Sequence, residues 1–132
     1  MDLAAIRGCL TGDGWPIEEM SSTTLRSRFR AAGRVLPLFI HVDREFVTLA
    51  VVPFAHVPEE LETAEALVKR LLQLNREINF AKFSVDEDGD VVLSVEYRLA
   101  NLDPSEVRDA VDVLSFYAEK HSVEVQQLSA PV

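Results

Sequence analysis

The sequence predicts an α+β domain of two layers, with elements in the order α-β-β-β-α-β-β-α and a mostly antiparallel five-stranded sheet. Between residues 23 and 52, strand-length segments are separated by short turns, which is typical of a meander. From residue 58, a long amphipathic helical pattern leads directly into a hairpin around Glu87-Asp88-Gly89. A chain of 132 residues fits one domain, which we expect to span residues 1–132.

A short helix is predicted at the start of the chain. Its apolar residues recur at helical spacing: Leu3, Ile6 and Leu10. Gly12 and Gly14 can end the helix, because glycine adopts the backbone conformations found at helix C-termini. Residues 15–20 are then expected to form a connector without regular structure.

Three strands of a meander are predicted next. From Thr23, apolar or small residues alternate with arginines, which is the period of a strand with one exposed face. The arginines on that face are Arg26, Arg28 and Arg30. Residues 35–42 and 46–52 are expected to be central strands, because both of their faces are apolar.

The second helix begins after Pro58 and is expected to be the longest in the protein. Its apolar residues cover an arc of roughly 160°, which is wider than docking one face on a sheet requires. One side of the arc is expected to pack inward: Leu61, Ala64, Val68 and Leu72. The other side is expected to form a homodimer interface: Leu67, Leu71, Leu74 and Ile78. Leaving that side in water would cost about 25 cal/mol per Å² of apolar surface.

A hairpin and a third helix complete the predicted fold. The hairpin strands lie near residues 80–86 and 90–98. The run Asp103-Pro104-Ser105-Glu106 then has the pattern of a capping box, with Asp as N-cap and Glu at the third helical position. The core stripe of this helix is predicted from its spacing: Val107, Ala110, Val111, Leu114 and Tyr117.

The composition limits the classes of function. The single cysteine, Cys9, excludes an internal disulfide and favours a reducing compartment. Residues 1–7 lack the features of a signal peptide, and no run approaches the roughly 20 apolar residues of a membrane span. The net charge of −9 argues against nucleic acid as a partner and is consistent with either solubility or attraction of a basic protein. We therefore expect a cytoplasmic protein that binds neither nucleic acid nor membranes.

No catalytic set, cofactor or metal site is predicted. The acidic hairpin tip 86–90 lacks the sixth-position glycine and twelfth-position glutamate of a calcium loop. His41, His56 and His121 lie on different elements without paired ligand spacing, and Cys9 has no neighbouring base. The prediction is therefore a protein that is not an enzyme.

Two features are candidates for binding a partner protein. The row Arg26, Arg28 and Arg30 either prevents edge-to-edge aggregation of an exposed strand or forms an array for an acidic segment. Phe116 falls about 180° from the core stripe of the third helix, with Val113 one turn away. This outward phenylalanine is either an isolated surface residue, a partner anchor or a residue covered in a dimer.

Two features of the chain are distinctive: the predicted order of its elements and the residues at one junction. That junction has the helix end Leu74-Asn75-Arg76-Glu77-Ile78-Asn79-Phe80, followed by the hairpin Asp86-Glu87-Asp88-Gly89-Asp90. In both respects the chain resembles the YbjN-like proteins and the wider fold group of bacterial type III secretion chaperones. The resemblance implies a small acidic homodimer of the cytosol that has no enzymatic activity and binds segments of a partner protein.

The leading functional hypothesis is therefore a homodimeric protein-binding module, acting as a chaperone or a regulatory adaptor for a signalling or secreted protein. A second hypothesis is a small-molecule sensor or an enzyme whose site forms between protomers, which requires convergent polar groups in a pocket. A third is a structural subunit of a larger assembly.

Overall fold

The computed structural model describes residues 1–130 and contains three helices and six strands in one sheet. In chain order they are α1 (Leu3–Gly12), β1 (Glu18–Glu19), β2 (Thr24–Ala31), β3 (Arg34–Asp43), β4 (Phe46–His56), α2 (Leu61–Glu77), β5 (Lys82–Val85), β6 (Asp90–Arg98) and α3 (Pro104–Gln127). The sheet order is β1-β2-β3-β4-β6-β5, and all neighbouring strands are antiparallel. The α+β class and the hairpins are confirmed.

The sheet has six strands and not the predicted five. The additional strand β1 lies in the segment 15–20, where Glu18 pairs with Arg26 and Glu19 with Leu25. Both glutamates are exposed. A strand of two exposed residues has no apolar alternation, so the sequence pattern contains no signal for it.

The helices cover only one face of the sheet, which gives the predicted two layers. On that inner face, one row of buried residues crosses four strands in register: Leu25, Ile40, Leu49 and Val95. The helix α3 packs on β2, β4 and β6, α2 packs on β5, and α1 packs against α3. The outer face of the sheet carries the arginine row of β2.

The prediction that α2 is the longest helix is wrong, because α2 has 17 residues and α3 has 24. The capping box of α3 forms as predicted, since Asp103 accepts from the Ser105 N–H and Glu106 accepts from the Asp103 N–H. Beyond Tyr117, the buried stripe continues through His121 and Ser122. These polar residues interrupt the apolar pattern in the second half of the helix, between the buried Ala118 and Val125.

The packing side of α2 is the reverse of the predicted one. The residues expected at a dimer interface are buried in the core of this chain: Leu67, Leu71, Leu74 and Ile78. The side expected to pack inward is exposed at Leu61, Val68 and Leu72. The Asn75 side chain bonds to both backbone groups of Phe83 on β5, at 3.0 and 2.7 Å. This link joins the buried side of α2 to β5, and it is a contact that the periodicity of the helix does not encode.

Candidate protein-binding surfaces

The first surface is the arginine face, formed by Arg26, Arg28 and Arg30 on the outer side of β2 together with the residues opposite them on β3. Those opposite residues are Phe39, Pro37 and Val35, respectively. All three arginines are exposed, as the alternation predicted, and Val35 is 54% exposed. A row of cations therefore runs beside a row of apolar side chains.

The arginines of this face have no acidic partner in the part of the chain that the structure describes. The ion pairs found among residues 1–130 involve other cations. The Arg26 guanidinium lies 5.7 Å from the centroid of the Phe39 ring, within the range of a cation–π contact. Beside Arg26 and Arg28 is a cleft of about 310 Å³, which Pro16, Ile17 and the acidic Glu18 also line. Positive charge and a partly apolar cleft thus occur together.

The second surface is the α2 outer stripe, which we define as Leu61, Ala64, Val68 and Leu72. Leu61 is 71% exposed and Leu72 is 63% exposed. The stripe forms the floor of a shallow groove of about 600 Å³. Its rim carries both signs of charge, at Glu65, Lys69 and Arg76. This is the leftover apolar surface that the sequence predicted for α2, located on the opposite side of the helix.

The third surface is the α3 patch, formed by Val113 and Phe116. Phe116 is 60% exposed, as its position on the helix predicted, and Val113 is half-buried. The centroid of the Phe116 ring lies 5.3 Å from that of the Tyr117 ring. The Lys120 ammonium lies 5.9 Å from the centroid of the Phe116 ring. The patch is small and has a cation at its border.

An exposed aromatic residue that the sequence did not single out is Phe80. The predicted strand 80–86 begins only at Lys82, and Phe80 has a positive φ of 75° with 58% of its surface exposed. Its ring contacts Tyr97 at 5.4 Å between centroids. Burial, followed by the charges of Glu106 and Asp109, raises the pKa of Tyr97 to about 12. An aromatic residue before a strand gives no sequence signal for this exposure.

His121 is a buried titratable residue of α3, and its ring faces Phe83 on β5. Its ring stacks on the Tyr117 ring at 6.0 Å and meets the Phe83 ring at 6.3 Å between centroids. Its Nε2 atom has no hydrogen-bond partner among residues 1–130. Burial lowers the pKa of His121 below its usual 6.5. Among the surrounding charges, Lys120 and Arg70 also lower this pKa, while Glu124 and Glu77 raise it. The folded state therefore favours the neutral imidazole.

This burial predicts that stability falls as the pH is lowered through 6.5. Below pH 6.5, the pKa of this histidine in the unfolded chain, the unfolded chain binds a proton that folded His121 does not. Acid therefore favours unfolding until the pH reaches the lower pKa of His121 in the folded state. The loss is at most about 1.4 kcal/mol per pH unit in that window. Urea unfolding at pH 7.5 and 5.5 measures it, and His121→Leu is expected to lose less stability over the same interval. An equal loss in both proteins would contradict the prediction.

The remaining histidines and the acidic hairpin make local contacts. His41 Nδ1 lies 2.7 Å from the Thr24 hydroxyl, and His56 Nδ1 lies 2.7 Å from an Asp90 oxygen. At the hairpin tip, Asp86 accepts from the backbone N–H groups of Asp88 and Asp90. Within residues 1–130, no group of three His, Cys, Asp or Glu side chains is placed to hold a metal ion. No helix in these residues is both long and apolar enough to cross a membrane.

The fold is shared with several solved structures. YbjN from E. coli has a TM-score of 0.70 at 15% identity, and the match covers 99% of this chain and 97% of that one. The ExoU–SpcU complex from the type III secretion system of Pseudomonas aeruginosa matches with a TM-score of 0.61 at 22% identity, covering 95% and 98% of the two chains. The ExsC–ExsE complex matches with a TM-score of 0.63 at 18% identity, and the match covers 96% of this chain and 98% of that one.

At the level of sequence, no curated protein matches the chain. A family profile does match, over residues 32–128, which is well over half of the chain. The family is described as "T3SS (YopN, CesT) and YbjN peptide-binding chaperone 1". The matched residues include the helix end and the acidic hairpin on which the resemblance was first noted. The chain therefore belongs to this family of peptide-binding chaperones.

Proposed function

We propose that the protein is a non-enzymatic, homodimeric module of the cytoplasm that holds a segment of a partner protein, as a chaperone or a regulatory adaptor. The observation that carries the proposal is the arginine face, where three exposed cations that form no ion pair within residues 1–130 border apolar side chains. Two of the similar solved structures are complexes of two proteins, which supports a protein as the ligand. Neither nucleic acid nor a membrane is part of the proposal.

The proposed homodimer forms through the α2 outer stripe. Two copies of α2 packed antiparallel around a twofold axis bring Leu61 of one copy near Leu72 of the other. The same arrangement brings Glu65 close to Lys69 of the other copy, so the stripe is complementary to itself in charge as well as in apolar surface. Exposed leucines of this kind favour association, because burying apolar surface contributes about 25 cal/mol per Å².

We propose two docking places for the partner segment. The arginine face offers charge and a partly apolar cleft, which suits a segment that is at least partly acidic. The α3 patch, Val113 and Phe116, offers an aromatic anchor. The two places differ in their expected kinetics, because exposed charges mainly affect association whereas a buried aromatic contact mainly affects dissociation.

Purification of the tagged protein from its own cells, followed by mass spectrometry of bound material, tests the function directly. We expect a protein partner in fixed stoichiometry. A retained metabolite in place of a protein would contradict the proposal and favour a small-molecule sensor or an enzyme with a site between protomers.

Once that partner is in hand, the triple variant Arg26→Ser, Arg28→Ser, Arg30→Ser is expected to slow association at low salt. Its melting temperature should stay close to that of the wild type, because these arginines form no ion pair in residues 1–130. Phe116→Ala is expected instead to speed dissociation. Surface plasmon resonance at two salt concentrations separates the two effects. If neither variant changes the affinity by more than about twofold, roughly 0.4 kcal/mol, the segment binds elsewhere.

A further inference from the structure

A strained turn between α2 and β5 holds Phe80 on the surface. Its φ is 75°, and the Ala81 N–H donates to the Asn79 carbonyl across it at 2.7 Å, which is the pattern of a γ-turn with positive φ. Such turns are rare, because a side chain at positive φ crowds its own backbone. The ring is not buried in return, since 58% of the Phe80 surface is exposed. A strained aromatic residue outside the core is a candidate for binding.

The turn is tied to α3 by hydrogen bonds. The Asn79 N–H donates to the Tyr117 hydroxyl oxygen at 2.8 Å, and the Tyr97 hydroxyl donates to the Glu106 carbonyl at 3.2 Å. The Phe80 ring meets the Tyr97 ring edge to face, with 5.4 Å between centroids and 63° between the planes. We call these two rings the Phe80 corner. The corner therefore has a defined position beside the first half of α3.

The charge beside the Phe80 corner is negative. Burial raises the pKa of Tyr97 most, and the charges of Glu106 and Asp109 raise it further, so both carboxylates act on this ring. Asp109 and Asp112 are exposed and form no ion pair within residues 1–130. They lie in the second and third turns of α3, beyond the first turn in which the helix dipole favours acidic residues. Their charges can therefore attract a cation from a partner.

The Phe80 corner adjoins the α3 patch. Asp109, Val113 and Phe116 are spaced i, i+4 and i+7, so they share one side of α3. The Phe116 ring contacts the Tyr117 ring, and the Tyr117 hydroxyl accepts from the residue before Phe80. Two exposed aromatic rings thus lie on either side of one hydrogen bond, with a half-buried valine and a carboxylate beside them.

This chemistry selects a basic segment. A guanidinium or ammonium over the face of the Phe80 ring gains a cation–π attraction, and Asp109 offers it an ion pair. Apolar side chains of the same segment can cover Val113 and Phe116, whereas an acidic segment would be repelled. The arginine face lies on the other side of the sheet, because the helices cover only the inner face. The two surfaces therefore select segments of opposite charge.

We infer that the Phe80 corner and the α3 patch bind a basic segment of a partner protein, with an arginine or lysine at the corner and apolar residues on Val113 and Phe116. This inference rests on the proposed function and adds a ligand segment whose charge is opposite to that of the one proposed for the arginine face. A second copy could offer its own arginine face here, but such a head-to-tail contact does not close and would give open chains.

An NMR titration of the full-length protein tests the inference with a glycine-flanked peptide of two arginines and two leucines. We expect the signals of Phe80, Tyr97 and Phe116 to shift, and those of the arginine face to stay unchanged. The matched control is the same peptide with glutamates in place of the arginines. It is expected to leave the signals of the Phe80 corner unchanged, because the carboxylates beside the corner repel it.

Two variants separate the aromatic contribution from the charge. Phe80→Leu keeps an apolar side chain and removes the ring, so it is expected to bind the arginine peptide about fivefold more weakly. Asp109→Asn keeps the size and removes the charge, and it is expected to bind about threefold more weakly with a smaller salt dependence. Asp88→Asn removes an equal charge at the hairpin tip, at the other end of β6, and should leave the affinity unchanged. Circular dichroism establishes that all three variants are folded.

Equal affinity of Phe80→Leu and the wild type, equal binding of the glutamate peptide, or shifts confined to the arginine face would each overturn the inference. Light scattering adds a further outcome. A mass that grows with concentration beyond a dimer in the wild type, but not in Phe80→Leu, would assign the surface to a second copy and overturn the partner protein.

Failure of this inference and failure of the proposed function give different results. A co-purified protein that leaves the Phe80 signals unshifted would retain the function and refute this surface. Binding of the arginine peptide at Phe80, with no protein co-purified from the cells, would support the surface and refute the function.

Discussion

Leu71→Glu is expected to prevent stable folding of this chain. Leu71 is 3% exposed and faces the core from α2. Burying a carboxylate without a partner costs several kcal/mol, or forces the group to take up a proton. Domains of this size are stabilised by about 5–15 kcal/mol, so one such change removes much of the total. Far-UV circular dichroism and urea unfolding measure the loss.

The neighbouring change Leu72→Glu is the matched control. It introduces the same charge one residue further along the same helix, at a side chain that is 63% exposed. We expect Leu72→Glu to retain the helical signal and a cooperative transition. The truncation Leu71→Ala should fold but lose about 2–5 kcal/mol, since it creates a cavity in the core. A folded Leu71→Glu beside an unfolded Leu72→Glu would show that the other side of α2 packs inward.

The contrast between these neighbours shows what the sequence of α2 could not provide. The arc of roughly 160° correctly indicated more apolar surface than one docked face uses. Both sides of that arc contain leucines of similar size, so periodicity could not distinguish the buried side from the exposed one. The buried side also carries the link from Asn75 to Phe83, which joins the helix to a strand that follows it. Such a contact is known only once the chain is folded.

The strands were predicted more accurately, because one side of β2 is charged and the other is not. Arg26, Arg28 and Arg30 alternate with smaller or apolar residues, so the alternation fixed which face is exposed. The partner residues across the sheet were not predictable, since register depends on pairing between distant segments. The cleft beside Arg28 follows from that register and from the two-residue strand β1. The residues of the arginine face were therefore identified from sequence, whereas the cleft beside them was not.

Leu72→Glu is also expected to convert the proposed homodimer into a folded monomer. A carboxylate at this position would lose hydration when it packs against Leu61 of the other copy, and that cost opposes association. Light scattering should report about twice the chain mass of 14.8 kDa for the wild type and about the chain mass for the variant. Gln73→Glu adds the same charge at the adjacent, exposed position and should weaken association much less.

The charged rim of the α2 outer stripe provides a test of the orientation of the two helices. In the antiparallel arrangement, Glu65 of one copy lies near Lys69 of the other, so Glu65→Lys places like charges together and should weaken the dimer. Adding Lys69→Glu to that variant restores opposite charges in reverse order and should recover most of the affinity. Such a rescue requires that the two positions face each other, and it is measured as a coupling energy of about 0.5 kcal/mol or more in a double-mutant cycle. Additive effects of the two changes would exclude this pairing, and a wild-type protein that stays monomeric at high micromolar concentration would refute the dimer itself.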